Sequence, residues 1–255
     1  MKEQIRKLIL ERNEKLNATF EEKAHIYNIG QQELTSVTRF KHKFFPFDAK
    51  EVAKQCAARN KNGKTAKDYL KEWDETAKFG THIHKLIEDY INGKELNELE
   101  KKQITHAIRF IETAGFENIA TEIKVYSPVL GLAGTIDWIA IDKKGRLWII
   151  DWKTTKTITE TNIYEKANYP LNHLDNAKSI GYAFQTSVYK FILDNEYKLP
   201  AKIYGIMIVQ LNFNKTVNIF SSENGKLPYL EKEIIQTLFT EDDFYAENLI
   251  KSTQN

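Results

Sequence analysis

A single α/β domain, with a helical N-terminal part packed against a mixed sheet, is the fold class that the sequence predicts. Three observations carry it. Helical periodicity dominates roughly the first 115 residues, and from about residue 119 three strand-like runs follow one another across short turns. The order from residue 97 onward is then helix, three meandering strands, helix, strand. No Gly/Ser/Pro-rich linker divides the 255 residues, so one domain is expected over 1–255. Within it, 1–95 is the helical part, 96–222 the core and 223–255 a C-terminal helix.

Taken in order, residues 1–17 place Ile5, Leu8, Ile9 and Leu16 on one side of an amphipathic helix. Residues 24–29 read as a short strand. Ser36 caps a helix that runs into Phe44-Phe45 and ends before Pro46, and another short helix covers 49–60. A long helical pattern spans 66–92 and stops at Asn92-Gly93. One more helix covers 97–114, ended by Gly115. Strands are expected at 119–127, 132–141 and 146–154, and again at 201–210 and 215–220. A helix at 178–196 and another at about 228–251 complete the list. The polar stretch 155–177 is long for a plain connection, and loops of that length are often functional.

Composition narrows the function classes only a little. The chain is 42% hydrophobic and 28% charged, with a net charge of +2, so it is neither disordered nor strongly basic. A nucleic-acid footprint is usually more basic, although an acidic cleft offsets a basic rim in the total. No apolar run reaches the roughly 18 residues a membrane span needs. Residues 1–12 alternate charge and apolar character, unlike a signal peptide. Cys56 is the only cysteine, so the expected compartment is a reducing cytoplasm, that of a host if the chain is phage-encoded.

The chemistry concentrates in residues 134–153. Asp137 and Asp151 each sit among apolar, β-favouring neighbours, on either side of the turn Lys143-Lys144-Gly145. A three-residue loop with a left-handed glycine pairs 142 with 146, and therefore 137 with 151. Side chains directly opposite on one face lie roughly 4.5–5.5 Å apart at Cβ. Two carboxylates that close repel unless a cation or a proton sits between them. The strand period of two adds Lys153 to the face of Asp151. A metal site performing hydrolysis explains all three; a surface ion pair beside a turn-capping Asp137 is the alternative. On this reading, removing a charge relieves repulsion, so Asp151→Ala or Lys153→Ala is expected to abolish cleavage and leave the fold intact. On the 66–92 helix, Gly80, His84 and Glu88 share a face.

The element order, with Asp137 followed by Asp151-Trp152-Lys153, resembles the PD-(D/E)XK nuclease superfamily. Gly80-Thr-His-Ile-His84 looks like the histidine helix of its RecB-like exonuclease branch, and Gln185-Thr-Ser-Val-Tyr189 like the helix motif that follows the hairpin. Ser36-Val-Thr-Arg-Phe resembles the N-terminal segment of phage and viral members akin to the mitochondrial genome maintenance exonuclease. The resemblance spans about residues 35–210. It implies His84, Asp137 and Asp151 as metal ligands, joined by the backbone carbonyl of Trp152. It implies Lys153 as the catalytic lysine, and Gln185 and Tyr189 as residues that orient active-site groups and touch DNA. Glu88 and Glu122 are candidates for an outer layer around the metal, Glu88 holding the imidazole and Glu122 reaching the ion through water; both are equally readable as solvated acids. The expected cofactor is Mg²⁺ or Mn²⁺. The four cysteines of iron–sulfur relatives are missing, so no iron–sulfur cluster is expected.

The function that follows is a divalent-metal-dependent DNA exonuclease, phage-derived, in recombination, replication or DNA processing, acting on single-stranded DNA or DNA with a free end. A structure-specific endonuclease is one alternative, and a non-catalytic DNA-binding or virion protein another. No G-x-x-x-x-G-K-[ST] loop and no G-x-G-x-x-G is present, so motor activity would need a helicase or recombination partner. Lys41, Lys43 and Lys156, with Phe44, Phe45, Tyr164 and Tyr169, are candidates for a phosphate-binding, base-stacking rim. Phe44 and Phe45 read equally as core.

Overall fold

The computed structural model describes residues 1–212 and 216–239. Helix α1 (Lys2–Lys15) leads into three short antiparallel strands, β1 (Ala18–Glu21), β2 (Ile26–Ile29) and β3 (Gln32–Ser36). Helices α2 (Val37–Phe44), α3 (Ala49–Arg59), α4 (Ala66–Ile91), α5 (Glu98–Gln103) and α6 (Thr105–Ala114) follow. Strands β4 (Glu117–Ser127), β5 (Leu132–Ile141) and β6 (Leu147–Lys153) form the meander, and α7 (Lys178–Glu196) crosses to β7 (Ile203–Leu211). Strand β8 (Val217–Ser221) and α8 (Glu231–Phe239) complete the described part. The C-terminal helix expected to reach residue 251 lies, beyond residue 239, outside the described residues.

The sheet is mixed. Its strands run β1-β2-β3-β5-β6-β7-β8, and β4 pairs with the other edge of β5. The β5–β6 hairpin has the predicted register, with Trp138 opposite Ile150 and Ile141 opposite Leu147. Its loop closes through Gly145 at φ +77°, a left-handed conformation that glycine adopts without steric cost. The β6–β7 pair is parallel, as a helical crossover through α7 requires.

The N-terminal part is less helical than the sequence suggested. Strands β1 and β3 are too short and polar to carry a visible alternation, Ala-Thr-Phe-Glu and Gln-Glu-Leu-Thr-Ser. The long 97–114 helix is also two helices, broken at Ile104.

Two apolar layers sandwich the sheet. On one face Ile139, Ile141, Leu147 and Ile149 pack with Phe184, Val188 and Ile192 of α7. On the other, Trp138, Trp148 and Trp152 pack with Ile83 and Ile87 of α4 and with Phe110 of α6. Trp138 and Trp152 stack at 5.9 Å with planes 10° apart. Such burial, about 25 cal/mol for each Å² of apolar surface, is the main force holding α4 and α7 at the sheet. No helix among the described residues is long and apolar enough to cross a membrane.

Candidate active site

The site is the fork where β5 and β6 part. Their ladder ends at Trp138 and Ile150. One residue further, the backbone N–H of Trp152 donates to Oδ2 of Asp137 at 2.9 Å, so a carboxylate takes the place of a strand carbonyl. At the far end of β5, Leu132 and Ala133 pair in parallel with Thr35 and Ser36 of β3. Between these two pairings β5 is open, and there Asp137 meets the helices.

Three acids form a row across this opening. Thr121 pairs with Trp138 and Ile123 with Ile136, which sets Glu122 opposite Asp137. The β5–β6 register sets Asp137 opposite Asp151. Asp151 is buried, and its Oδ2 lies 2.5 Å from Nζ of Lys153, which keeps a fifth of its side chain exposed. Burial raises the pKa of Asp151; Lys153 opposes that rise and Asp137 adds to it. Burial works against the charge of Lys153, but Asp151 and Asp137 outweigh it and hold the amine above its ordinary value. Burial, helped by Asp137, lifts Glu122 to about 7. Glu122 also sits at φ +48°, a left-handed backbone that costs energy in a residue with a Cβ.

Helix α4 brings the histidine. The reciprocal Thr65–Asp68 capping box starts the helix, and Ile83, Leu86 and Ile87 bury one face of it. His84 then stands at the sheet edge with Nδ1 3.4 Å from Oδ2 of Asp137. Gly80, one turn earlier, is the close approach: a Cβ there would lie 2.8 Å from Oγ1 of Thr154, just past β6. His84, Glu122 and Asp137 each offer one ligand atom, and these atoms lie within 4.8 Å of one another. One imidazole nitrogen and carboxylate oxygens suit a borderline-to-hard divalent cation, so the donors present fit such an ion.

The other predicted residues fall in varied places. Glu88 accepts from Lys85 at 2.7 Å, and no hydrogen bond joins it to His84 among the described residues. The lysine engages Oε2 of Glu88. Gln185 and Tyr189 are both buried on α7. Tyr189 is only 3% exposed, and its ring fills the space over Gly134, where a Cβ would lie 2.7 Å from Cε1. Burial pushes its phenol well above the ordinary value, and the Gln185 side chain only partly offsets this. The ring is therefore enclosed within the protein. Of the candidate rim, Phe44 and Phe45 are core, packed on Phe184 at 5.8 and 5.6 Å. Tyr164 and Tyr169 are 90% and 75% exposed, on the loop 155–177. That loop is tied to the end of α2: Asn168 donates through its backbone N–H to the carbonyl of Phe44 and through Nδ2 to that of Lys43.

Lys41, one of the rim candidates, does not lie on the surface. It is buried on the α2 face that also carries Val37, Phe40 and Phe44. Burial and the nearby charge of Lys153 lower its pKa to about 8. The signal was its place in the helical repeat, where the spacing 37, 40, 41, 44 marks an inward face.

The chain belongs to the PD-(D/E)XK nuclease superfamily, whose sequence model matches residues 49–252. That superfamily uses divalent metals, in keeping with the His84, Glu122 and Asp137 donors. Solved structures resemble the chain only distantly. The crystal structure of SSO0001 is 14% identical with a TM-score of 0.33, covering 91% of this chain and 83% of that one. The crystal structure named "Putative exonuclease" from Eubacterium rectale is 11% identical with a TM-score of 0.40, covering 87% and 81%. A search of curated protein sequences returns no match.

Proposed function

We propose that the chain is one nuclease domain and a Mg²⁺- or Mn²⁺-dependent DNA exonuclease. The observation that carries this reading is the row Glu122, Asp137, Asp151 with Lys153 at its end and His84 above it. On this reading His84, Asp137 and Asp151 hold the cation, and Glu122, whose carboxylate lies within 4.8 Å of the His84 and Asp137 ligand atoms, is a further donor within reach. The N–H and C=O of a strand residue leave the same edge, and the Trp152 N–H faces Asp137, so its carbonyl is a further donor. When bound, a divalent cation lowers the pKa of water and neutralises phosphate charge. Lys153 contributes the fixed positive charge that orients the attacking water and offsets charge in the transition state. Asp151, paired with it at 2.5 Å, keeps the amine protonated and aimed. Gln185 and Tyr189 orient the fork from α7.

Preference for an end rests on the walls of the site. Helix α4 stands on one side through His84, and α2 with the loop 155–177 on the other. A cleft walled twice admits a strand by threading. The resemblance of residues 36–40 to phage members supports a phage-type origin and work in recombination, replication or processing, with strand separation supplied by a partner. The test uses end-labelled linear and circular single-stranded DNA with Mg²⁺, Mn²⁺ or EDTA. Rapid loss of the linear form with either metal, and little action on circles, is expected. Equal rates on both would transfer the reading to an endonuclease, and no cleavage under any divalent metal would leave a non-catalytic DNA-binding protein.

A further inference from the structure

We propose that Lys41 is a second phosphate-binding lysine of this site, whose amine joins that of Lys153 on a non-bridging oxygen of the phosphodiester being cleaved. The inference rests on the nuclease reading above and concerns a residue outside the superfamily motifs.

The argument starts from an anomaly of burial. Lys41 lies on the inward face of α2 between Phe40 and Phe44, and only 9% of it is exposed. Amines are almost never that buried unless paired. Yet no carboxylate makes an ion pair with Lys41 among the described residues. What it meets is aromatic: Nζ lies 5.5 Å from the ring centroid of Tyr182, and Nζ of Lys153 lies 5.0 Å from the same ring. A cation–π contact returns less than the desolvation of an amine costs. Two ammonium groups on one ring add repulsion to that cost.

The surrounding sequence builds this position. The parallel pairing of Thr35 and Ser36 with β5 starts α2 at the edge of the fork, and the Ser36 hydroxyl caps the helix by accepting from the Arg39 N–H at 3.2 Å. The Lys41 stem packs toward Gly181 on α7, its Cδ 3.8 Å from where a Cβ would be. The charge of Asp151 is felt at Lys41, but its carboxylate is engaged by Lys153 at 2.5 Å, so Lys41 has no carboxylate in direct contact. Lys153 is partly exposed, so the Tyr182 ring that both amines adjoin lies beside an opening. An anionic phosphate oxygen there supplies the charge that the fold omits. A charged hydrogen bond to phosphate from a desolvated lysine is stronger than one made in water.

The experiment compares wild type with Lys41→Met, which keeps the stem and removes the charge, and Lys41→Arg, which keeps the charge. Three quantities are read: Tm, kcat/KM on linear single-stranded DNA with Mg²⁺, and the salt dependence of binding to a labelled oligonucleotide with Ca²⁺ in place of Mg²⁺. Lys41→Met is expected to fold with an equal or higher Tm, because a buried unpaired charge is gone. Its kcat/KM falls on the order of 10- to 100-fold. The slope of log K against log salt shrinks by about 0.7, the loss of one single-strand phosphate contact. Lys41→Arg keeps the slope. A folded Lys41→Met with wild-type kcat/KM and slope overturns the proposal, as does a lower Tm with an unchanged slope, which would make Lys41 structural. Lys41→Gln repeats the readouts if Lys41→Met does not fold. Wild type that neither cleaves nor binds DNA would instead strike the nuclease reading itself.

Discussion

Asp151 and Lys153, two residues apart on one face of β6, form a buried ion pair of 2.5 Å at the end of a row of carboxylates. The pair bears directly on what removing either charge does to the fold. Removing a charge was expected to relieve repulsion; removing the lysine instead strips Asp151 of its counter-ion. Breaking a buried pair from one side typically costs about 3–5 kcal/mol. Lys153→Met should therefore abolish cleavage and also lower stability by about 3 kcal/mol in EDTA. Divalent metal should restore part of that loss, because the cation replaces the missing charge. Urea denaturation with and without metal reads both effects. A Lys153→Met protein as stable as wild type in EDTA would show that the pair contributes nothing to the fold.

The carboxylate row leads to a second outcome. Without an ion, Glu122 stands opposite Asp137 on the neighbouring strand, and the charge of Asp151 acts on both. Whatever binds the folded site and not the unfolded chain raises stability, by about 2.7 kcal/mol at a hundred times Kd. Millimolar Mn²⁺ or Mg²⁺ should raise Tm of the wild type by several degrees. Asp137→Ala should lose the shift, and His84→Ala should weaken it by raising the metal concentration required. A metal-induced shift of undiminished size and midpoint in both variants would place the ion elsewhere.

Most of the core was legible in the sequence because its signals are local. The turn at 143–145 carries its own glycine, so the register that sets Asp137 against Asp151 could be read directly. The span of α4 was equally plain, with its pattern starting at 66 and Asn92-Gly93 stopping it. What could not be read depends on distant partners. Strand β3 exists because it pairs with β2 and with the far end of β5, and its own five residues show little alternation. The burial of Lys41 depends on where that pairing puts α2. The position of Glu122 opposite Asp137 depends on the β4–β5 register across a connection of four residues, 128–131, which no turn motif announced. Local patterns fixed the motif residues, and long-range pairing decided what surrounds them.

Acid should reveal the hairpin's own anchor. Partial burial works against the charge of Asp142, but hydrogen bonds from Arg146, Trp148 and the Lys144 backbone N–H outweigh it and lower its pKa to about 2. A carboxylate with a depressed folded pKa stabilises fully above its unfolded value near 4, and the contribution disappears as pH falls through the folded value near 2. Wild type should therefore lose stability between about pH 4 and pH 2. Asp142→Asn should be less stable at pH 7 and show a shallower decline over that range. Parallel stability curves for the two proteins between pH 5 and 2 would remove Asp142 as a source of the acid sensitivity.

Gly134 and Tyr189 allow the helix motif to be tested without touching an acid or the lysine. Gly134 pairs with Val125 in the β4–β5 ladder, so its backbone is held. A Cβ at 134 would lie 2.7 Å from Cε1 and 2.8 Å from the hydroxyl of Tyr189, inside ordinary contact distance. The ring has no room to retreat, because it is 3% exposed and packed in the apolar layer under α7. Overpacking of this kind costs about 1–3 kcal/mol. Gly134→Ala should lower stability by that amount and reduce kcat by displacing α7, and with it Gln185, from the fork. The cause is a clash, so a smaller partner should cure it: Gly134→Ala combined with Tyr189→Leu should recover most of the lost stability. Tyr189→Phe alone should retain most of the activity, since the phenol is enclosed. A severe loss of kcat in a well-folded Tyr189→Phe protein would assign the hydroxyl itself to the reaction. A double variant less stable than Gly134→Ala alone would mean that the contact with Tyr189 is not what the glycine is for.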